Sequence, residues 1–235
     1  MVSIFIAGNI LLFQGGKKKA EWFNYEYLGL RMIKLLGVKV MKKVNSKEKD
    51  HNLQNMSPEE LGKLFPIVIA EPSADWAYLF QVEKEVILKA LPSKGIVCID
   101  HIGSTAIPGM KAKPTIDILL QVTPQTDNQK IIDTFKKMGY HYTEQPDNPP
   151  PHMMFVKGYT IRGLKGQAYH IHVRYSGDWD ELYFRDYLLK YKEVAKEYEK
   201  LKIKLAKEFR NDREGYTKAK TDFVEGVNEI ARKKS

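Results

Sequence analysis

The sequence predicts an α+β domain over residues 56–235, a mixed β-sheet with flanking helices and a C-terminal helical segment. Three observations predict it. Apolar, β-rich runs recur at residues 96–102, 116–122, 152–157 and 169–175. Apolar residues fall at spacings of three and four between Trp76 and Leu91, and again between Tyr191 and Leu205. The chain is 43% hydrophobic, enough to bury a sizeable core in one domain of this length.

The elements follow in order. Ser57-Pro58-Glu59-Glu60 opens a helix: a Ser cap, a Pro in the first turn and acids at the positive end of the dipole. Pro66 ends it, and residues 67–70 read as a short strand. Ser73 or Asp75 caps the next helix, which buries Trp76, Leu79, Phe80, Val86, Ile87, Ala90 and Leu91; Pro92 and Gly95 terminate it. Residues 96–102 form a strand, followed by a loop with Pro108, Gly109 and Pro114. Residues 116–122 form a second, buried strand. A helix over 128–138 closes at Gly139, and strands 152–157 and 169–175 flank a Gly-rich turn. From Asp178 the pattern is helical. Tyr191, Val194, Tyr198, Leu201 and Leu205 make one continuous seam, Asn211-Asp212 breaks it, and a last helix runs to about Arg232.

Residues 1–55 read as a basic N-terminal extension. The net charge of +9 suggests a nucleic-acid partner, but residues 1–50 hold ten Lys and Arg against four Asp and Glu. Only +3 remains for the other 185 residues, so no phosphate-tracking surface and no specific nucleic acid are expected there. The apolar run at 4–13 is too short to span a bilayer and lacks the flanks of a signal peptide. Residues 27–44 form a basic amphipathic stretch, fitting a packed extension ahead of a membrane-surface helix. Residues 42–55 read as a charged linker. Met41 and Met56 each stand where translation can begin, and all that the sequence explains starts at Met56. The single cysteine, Cys98, makes no internal disulfide; with no spanning segment, a cytoplasmic location is expected.

The chemistry concentrates between His101 and Leu119. A strand ends at Gly103-Ser104, where glycine admits close backbone approach and serine adds a hydroxyl. Exposed amides after a strand suit phosphate oxygens, and Lys111 and Lys113 place cations nearby. Asp117 lies inside an apolar strand, which is costly without a metal, cation or donor as partner. His170 and His172 share one strand face by alternation; two imidazoles and a carboxylate suit a transition metal.

The words around this segment are more specific than its spacing. His101-Ile102-Gly103-Ser104-Thr105-Ala106-Ile107-Pro108-Gly109, with Ala112-Lys113-Pro114 and Ile116-Asp117-Ile118, resembles the signature of the GrpB family. Residues 61–67 with Trp76, then His170-Ile171-His172-Val173, residues 184–188, and Tyr216 with Lys220 resemble its other blocks. The resemblance covers about 180 residues from Met56 onward. It implies a nucleotidyltransferase-like fold, in which Gly103, Ser104 and Thr105 with Lys113 would hold the phosphates of a nucleotide or phosphorylated small molecule. Asp117 would be the catalytic carboxylate and ligand of a divalent metal, magnesium or manganese ahead of zinc. His101 and Arg185 are further cleft candidates. Position 119, where a working transferase carries its second acid, is Leu119, and strand 169–175 offers histidines in place of a third. Two functions therefore stay open: metal-dependent nucleotidyl or phosphoryl transfer, and a non-catalytic ligand-binding module on a degenerate transferase fold. Each residue keeps a structural alternative as well. Gly103-Ser104 could serve only as a tight turn, Asp117 could pair with Lys113, and Arg185 could sit in an internal salt bridge.

Overall fold

The computed structural model describes the backbone of residues 3–6, 9–13 and 20–24, together with residues 53, 55–92 and 94–234. Contacts divide the chain into two units, Met1–Ser46 and Lys47–Ser235. The first contains an antiparallel meander of β1 (Ser3–Ile6), β2 (Asn9–Phe13) and β3 (Ala20–Asn24). Ile4 pairs with Leu11, and Leu11 with Trp22. The apolar run at 4–13 thus contains two strands. The amphipathic stretch 27–44 and nearly all of the linker at 42–55 lie outside the described residues.

The second unit is built on a five-stranded mixed sheet in the order β4 (Ile96–Ile102), β5 (Thr115–Val122), β8 (Gly163–Tyr175), β7 (Met153–Thr160), β6 (His141–Glu144). Only β5 and β8 run parallel; their neighbours pair antiparallel. The helices are α1 (Pro58–Leu64), α2 (Asp75–Ala90), α3 (Asn128–Lys137), α4 (Asp180–Lys190), α5 (Lys192–Glu208), α6 (Arg213–Lys218) and α7 (Thr221–Lys233).

Alternation along β5 and β8 explains where the core lies. Ile116, Ile118 and Leu120 of β5, with Ile171 and Val173 of β8, pack against Trp76, Phe80 and Ile87 of α2 and Ile131 and Phe135 of α3. The intervening residues, Asp117, Leu119 and Gln121 with His170, His172 and Arg174, face the other way, toward the C-terminal helices. A second apolar cluster joins Ile107 and Met110 to Phe184, Leu188, Tyr198 and Val227, holding those helices over the sheet's edge.

The cap read at Ser57 is a reciprocal box: Ser57 Oγ accepts from Glu60 N at 3.2 Å, and Glu60 Oε2 accepts from Ser57 N at 2.8 Å. Ser73 Oγ accepts from Asp75 N at 3.1 Å at the start of α2. Residues 67–70 do not form the expected strand. Ile67 N donates to Arg210 O at 2.6 Å, and Ala70 makes one isolated bridge to Ala112. Pro66 and Pro72, which have no N–H to donate, leave the segment too short for a ladder. β6 escapes the sequence pattern because its four residues, His-Tyr-Thr-Glu, are largely polar; pairing with β7 alone places them. The helical run also breaks at Tyr191, between α4 and α5.

Candidate functional site

Asp117 is the one residue of β5 that is not buried. Parallel pairing sets it opposite His170, and antiparallel pairing sets it beside Ile102 on β4. Its Oδ1 lies 3.2 Å from His170 Nδ1 and 3.8 Å from His172 Nε2. One donor atom from each of the three residues falls within 4.8 Å of the others. Ligands about 2.1 Å from a shared ion in tetrahedral geometry lie about 3.4 Å apart, so these spacings fit one metal ion. Burial works against the charge on Asp117, but His170 and His172 together outweigh it and hold the carboxyl well below the usual carboxylate range. Burial pushes His170 down in turn, which leaves an ionised carboxylate beside a neutral imidazole. Deprotonated oxygen and neutral nitrogen are the forms that bind metals.

The far side of His170 is also held. Its Nε2 lies 2.7 Å from Tyr159 Oη, and the two rings stack with centroids 5.6 Å apart. Arg213 lies 5.6 Å from the centre of the Tyr159 ring. A hydrogen-bonding group on the remaining ring nitrogen fixes the tautomer and orientation of a ligating histidine.

Gly103 and Ser104 open a cleft of about 620 Å³ that is also lined by Asp117, His172, Tyr198 and Lys220. Gly103 has φ +71°, and a Cβ there would stand 2.6 Å from Asp117 Oδ2. Glycine is therefore required by the carboxylate itself, which packs against the turn. Lys220 Nζ and Lys113 Nζ lie 4.3 and 5.6 Å from the centre of the same ring, Tyr216. Neither lysine has a carboxylate within ion-pair distance among the described residues. Burial lowers Lys220 to about 8, helped by the charge of Lys113 and opposed by Asp117. Burial, then Arg213, lowers Lys113.

Three expected site residues lie elsewhere. Thr105 is buried; its Oγ1 donates to Thr115 O at 3.0 Å and lies 3.0 Å from His101 Nε2, so it braces the loop. His101 alternates to the core face, stacks on Phe80 at 4.8 Å and is pushed down to about 4 by burial. Arg185 Nη1 donates to Asp100 Oδ1 and to His101 O, each at 3.2 Å, and its Nε to Asp186 Oδ1 at 2.7 Å; it ties α4 to β4. Leu119 is fully buried opposite His172, and its other neighbour, Asp100, is the acid that Arg185 holds. Lys111 pairs with Glu71 at 2.6 Å. Sequence reasoning misses Tyr159 and assigns Lys220 no role. The four-residue step from Tyr216 to Lys220 is visible, but only the packing of the C-terminal helices shows that it meets the strand carrying Asp117.

The GrpB protein family model matches residues 66–229, most of the second unit. The chain belongs to the GrpB family. That family lies in the nucleotidyltransferase-like superfamily. A UPF0157 protein of Pseudomonas aeruginosa is 38% identical over 159 residues, covering 67% of this chain and 64% of that protein. The glutamate-rich protein GrpB of Alkalihalophilus pseudofirmus is 35% identical over 165 residues, covering 68% of this chain and 93% of its own. The chain thus spans just under two thirds of the Pseudomonas relative. The crystal structure of the conserved protein GrpB from Enterococcus faecalis superimposes with a TM-score of 0.61 at 25% identity, over 71% of this chain and 98% of that one. Among the described residues no helix is long and apolar enough to cross a membrane.

Proposed function

We propose that this GrpB protein binds a phosphorylated small molecule of the nucleotide class at a single divalent metal held by Asp117, His170 and His172. The observation that carries the proposal is the convergence of those three donor atoms, with Asp117 and His172 lining the cleft and Asp117 ionised. Two imidazoles and one carboxylate suit manganese, zinc or iron better than magnesium, which prefers oxygen ligands. When bound, such an ion would polarise a phosphate and neutralise its charge. The chain's own residues do the rest. Lys220, which lines the cleft, and Lys113, against the same Tyr216 ring, offer ammonium donors that lack carboxylate partners among the described residues, and Ser104 adds a hydroxyl to the cleft lining. Tyr159 holds the His170 ring in place.

Leu119 favours a second reading, a ligand-binding module without turnover. The two-metal route of nucleotidyl transfer needs a carboxylate where this chain buries an alkyl side chain. Calorimetry on the full chain, with manganese or zinc and a panel of nucleotides, tests the shared part of both readings. Metal-dependent ligand binding that is lost in Asp117→Asn is expected; ligand at 100 times Kd should add about 2.7 kcal/mol of stability. Binding that ignores metal and survives Asp117→Asn would refute it. Product analysis on the same samples then separates transfer from binding.

A further inference from the structure

We infer that Arg174 and Asn228 form a second recognition point in the cleft, one that reads the non-phosphate end of the ligand through a hydrogen-bond acceptor lying beside a donor. This rests on the metal and phosphate site proposed above.

Arg174 follows His172 by two residues on β8, so alternation keeps it on the same face, roughly 7 Å farther along the strand. It is 4% exposed. A guanidinium carries five N–H donors. Here Nη1 donates to Val173 O at 2.9 Å, Nη2 lies 3.8 Å from Glu181 Oε1, beyond hydrogen-bond reach, and Nε has no partner. Asn228, on α7, is 7% exposed, and its Oδ1 also lacks a partner. Both residues line the cleft that holds Ser104, Asp117, His172 and Lys220. The other two unpartnered buried atoms among the described residues, on Asn128 and His152, belong to residues that do not line it.

A buried polar atom without a partner is costly, and two on residues that line one cleft, one from the sheet and one from a helix, are hard to explain by packing alone. Neither atom is solvent-exposed in the free protein, so the two side chains must turn toward the cleft as the ligand arrives. Arg232, the other arginine on this rim, is already held by Asp178 and Asp180 at 2.6 and 2.7 Å. The far end is therefore suited to a neutral polar group that accepts from Arg174 and donates to Asn228. A nucleobase edge has this pair, and so do neighbouring sugar hydroxyls. Inorganic phosphate at the metal does not reach it.

Calorimetry on the full chain with manganese would compare inorganic phosphate, ribose 5-phosphate and the common nucleoside monophosphates, in the wild type, Arg174→Lys and Asn228→Leu. At least one extended ligand should bind about tenfold or more tightly than phosphate. Each variant should erase that advantage while leaving phosphate affinity unchanged; Asn228→Leu, nearly isosteric, guards against a folding defect in the arginine variant. An advantage for the nucleoside monophosphates alone assigns the pair to a base edge. An advantage shared with ribose 5-phosphate assigns it to the sugar. Extended ligands no tighter than phosphate, or an advantage that survives both variants, would overturn the inference while the metal site stands. Absence of metal-dependent phosphate binding would remove the underlying site and the inference with it.

Discussion

At the scale of single residues, the site depends on how closely a carboxylate can approach a backbone turn. Gly103 is the residue most open to test. Its positive φ costs any other side chain about 1–2 kcal/mol, and a Cβ would meet Asp117 Oδ2 at 2.6 Å. Gly103→Ala should therefore destabilise the fold by about 1–3 kcal/mol in denaturant unfolding and weaken metal binding in the same protein. Stability lost with metal affinity intact would mean that the turn and the carboxylate are independent. The importance of Gly103 is readable in the sequence; its reason is not. Sequence reasoning assigns the close approach to a ligand, whereas the neighbouring strand needs it. Likewise the sequence leaves the partner of Asp117 open between Lys113 and a metal set, because sequence carries no register. The pairing of β5 with β8 places His170 beside it.

At the scale of elements, two helices invite measurement. The capping box at α1 satisfies two end groups reciprocally, so Ser57→Ala should cost about 1 kcal/mol in thermal or chemical unfolding, with no effect on metal affinity. In α5, Lys202 is 2% exposed, donates from Nζ to Lys111 O at 2.7 Å, and is lowered by burial to about 7. Between pH 7 and its ordinary value near 10.5, the unfolded chain binds a proton at this lysine that the folded chain does not. Stability therefore rises with pH across that window, by at most about 1.4 kcal/mol per pH unit from this group. Lys202→Met should flatten that slope relative to wild type and raise stability near pH 7. Parallel slopes would show that Lys202 keeps its proton on folding. The elements themselves are largely readable, because strands 96–102 and 116–122 and the cap at Ser57 combine pattern with punctuation. Residues 67–70 and β6 mislead in opposite directions. One is an apolar tetrapeptide between prolines with only an isolated bridge at Ala70; the other is a largely polar tetrapeptide whose ladder comes from β7.

At the scale of the whole molecule, the second unit divides its labour across the two faces of one sheet. Ile116, Ile118 and Leu120 bind α2 and α3, while Asp117, His170, His172 and Arg174 line up beneath the C-terminal helices. Family resemblance makes the sheet and its Gly-Ser turn foreseeable. It also brings His101, Thr105 and Arg185 into the expected site, and alternation and packing take them out of it. Asp117, His170 and His172 are proposed to hold one ion between two neighbouring strands. Crystals of the full chain grown with manganese or zinc, with anomalous diffraction recorded at the metal edge, test it most directly. One strong peak is expected about 2.0–2.3 Å from Asp117 Oδ1, His170 Nδ1 and His172 Nε2. A peak elsewhere, or none at that point in crystals soaked with excess metal, would contradict it.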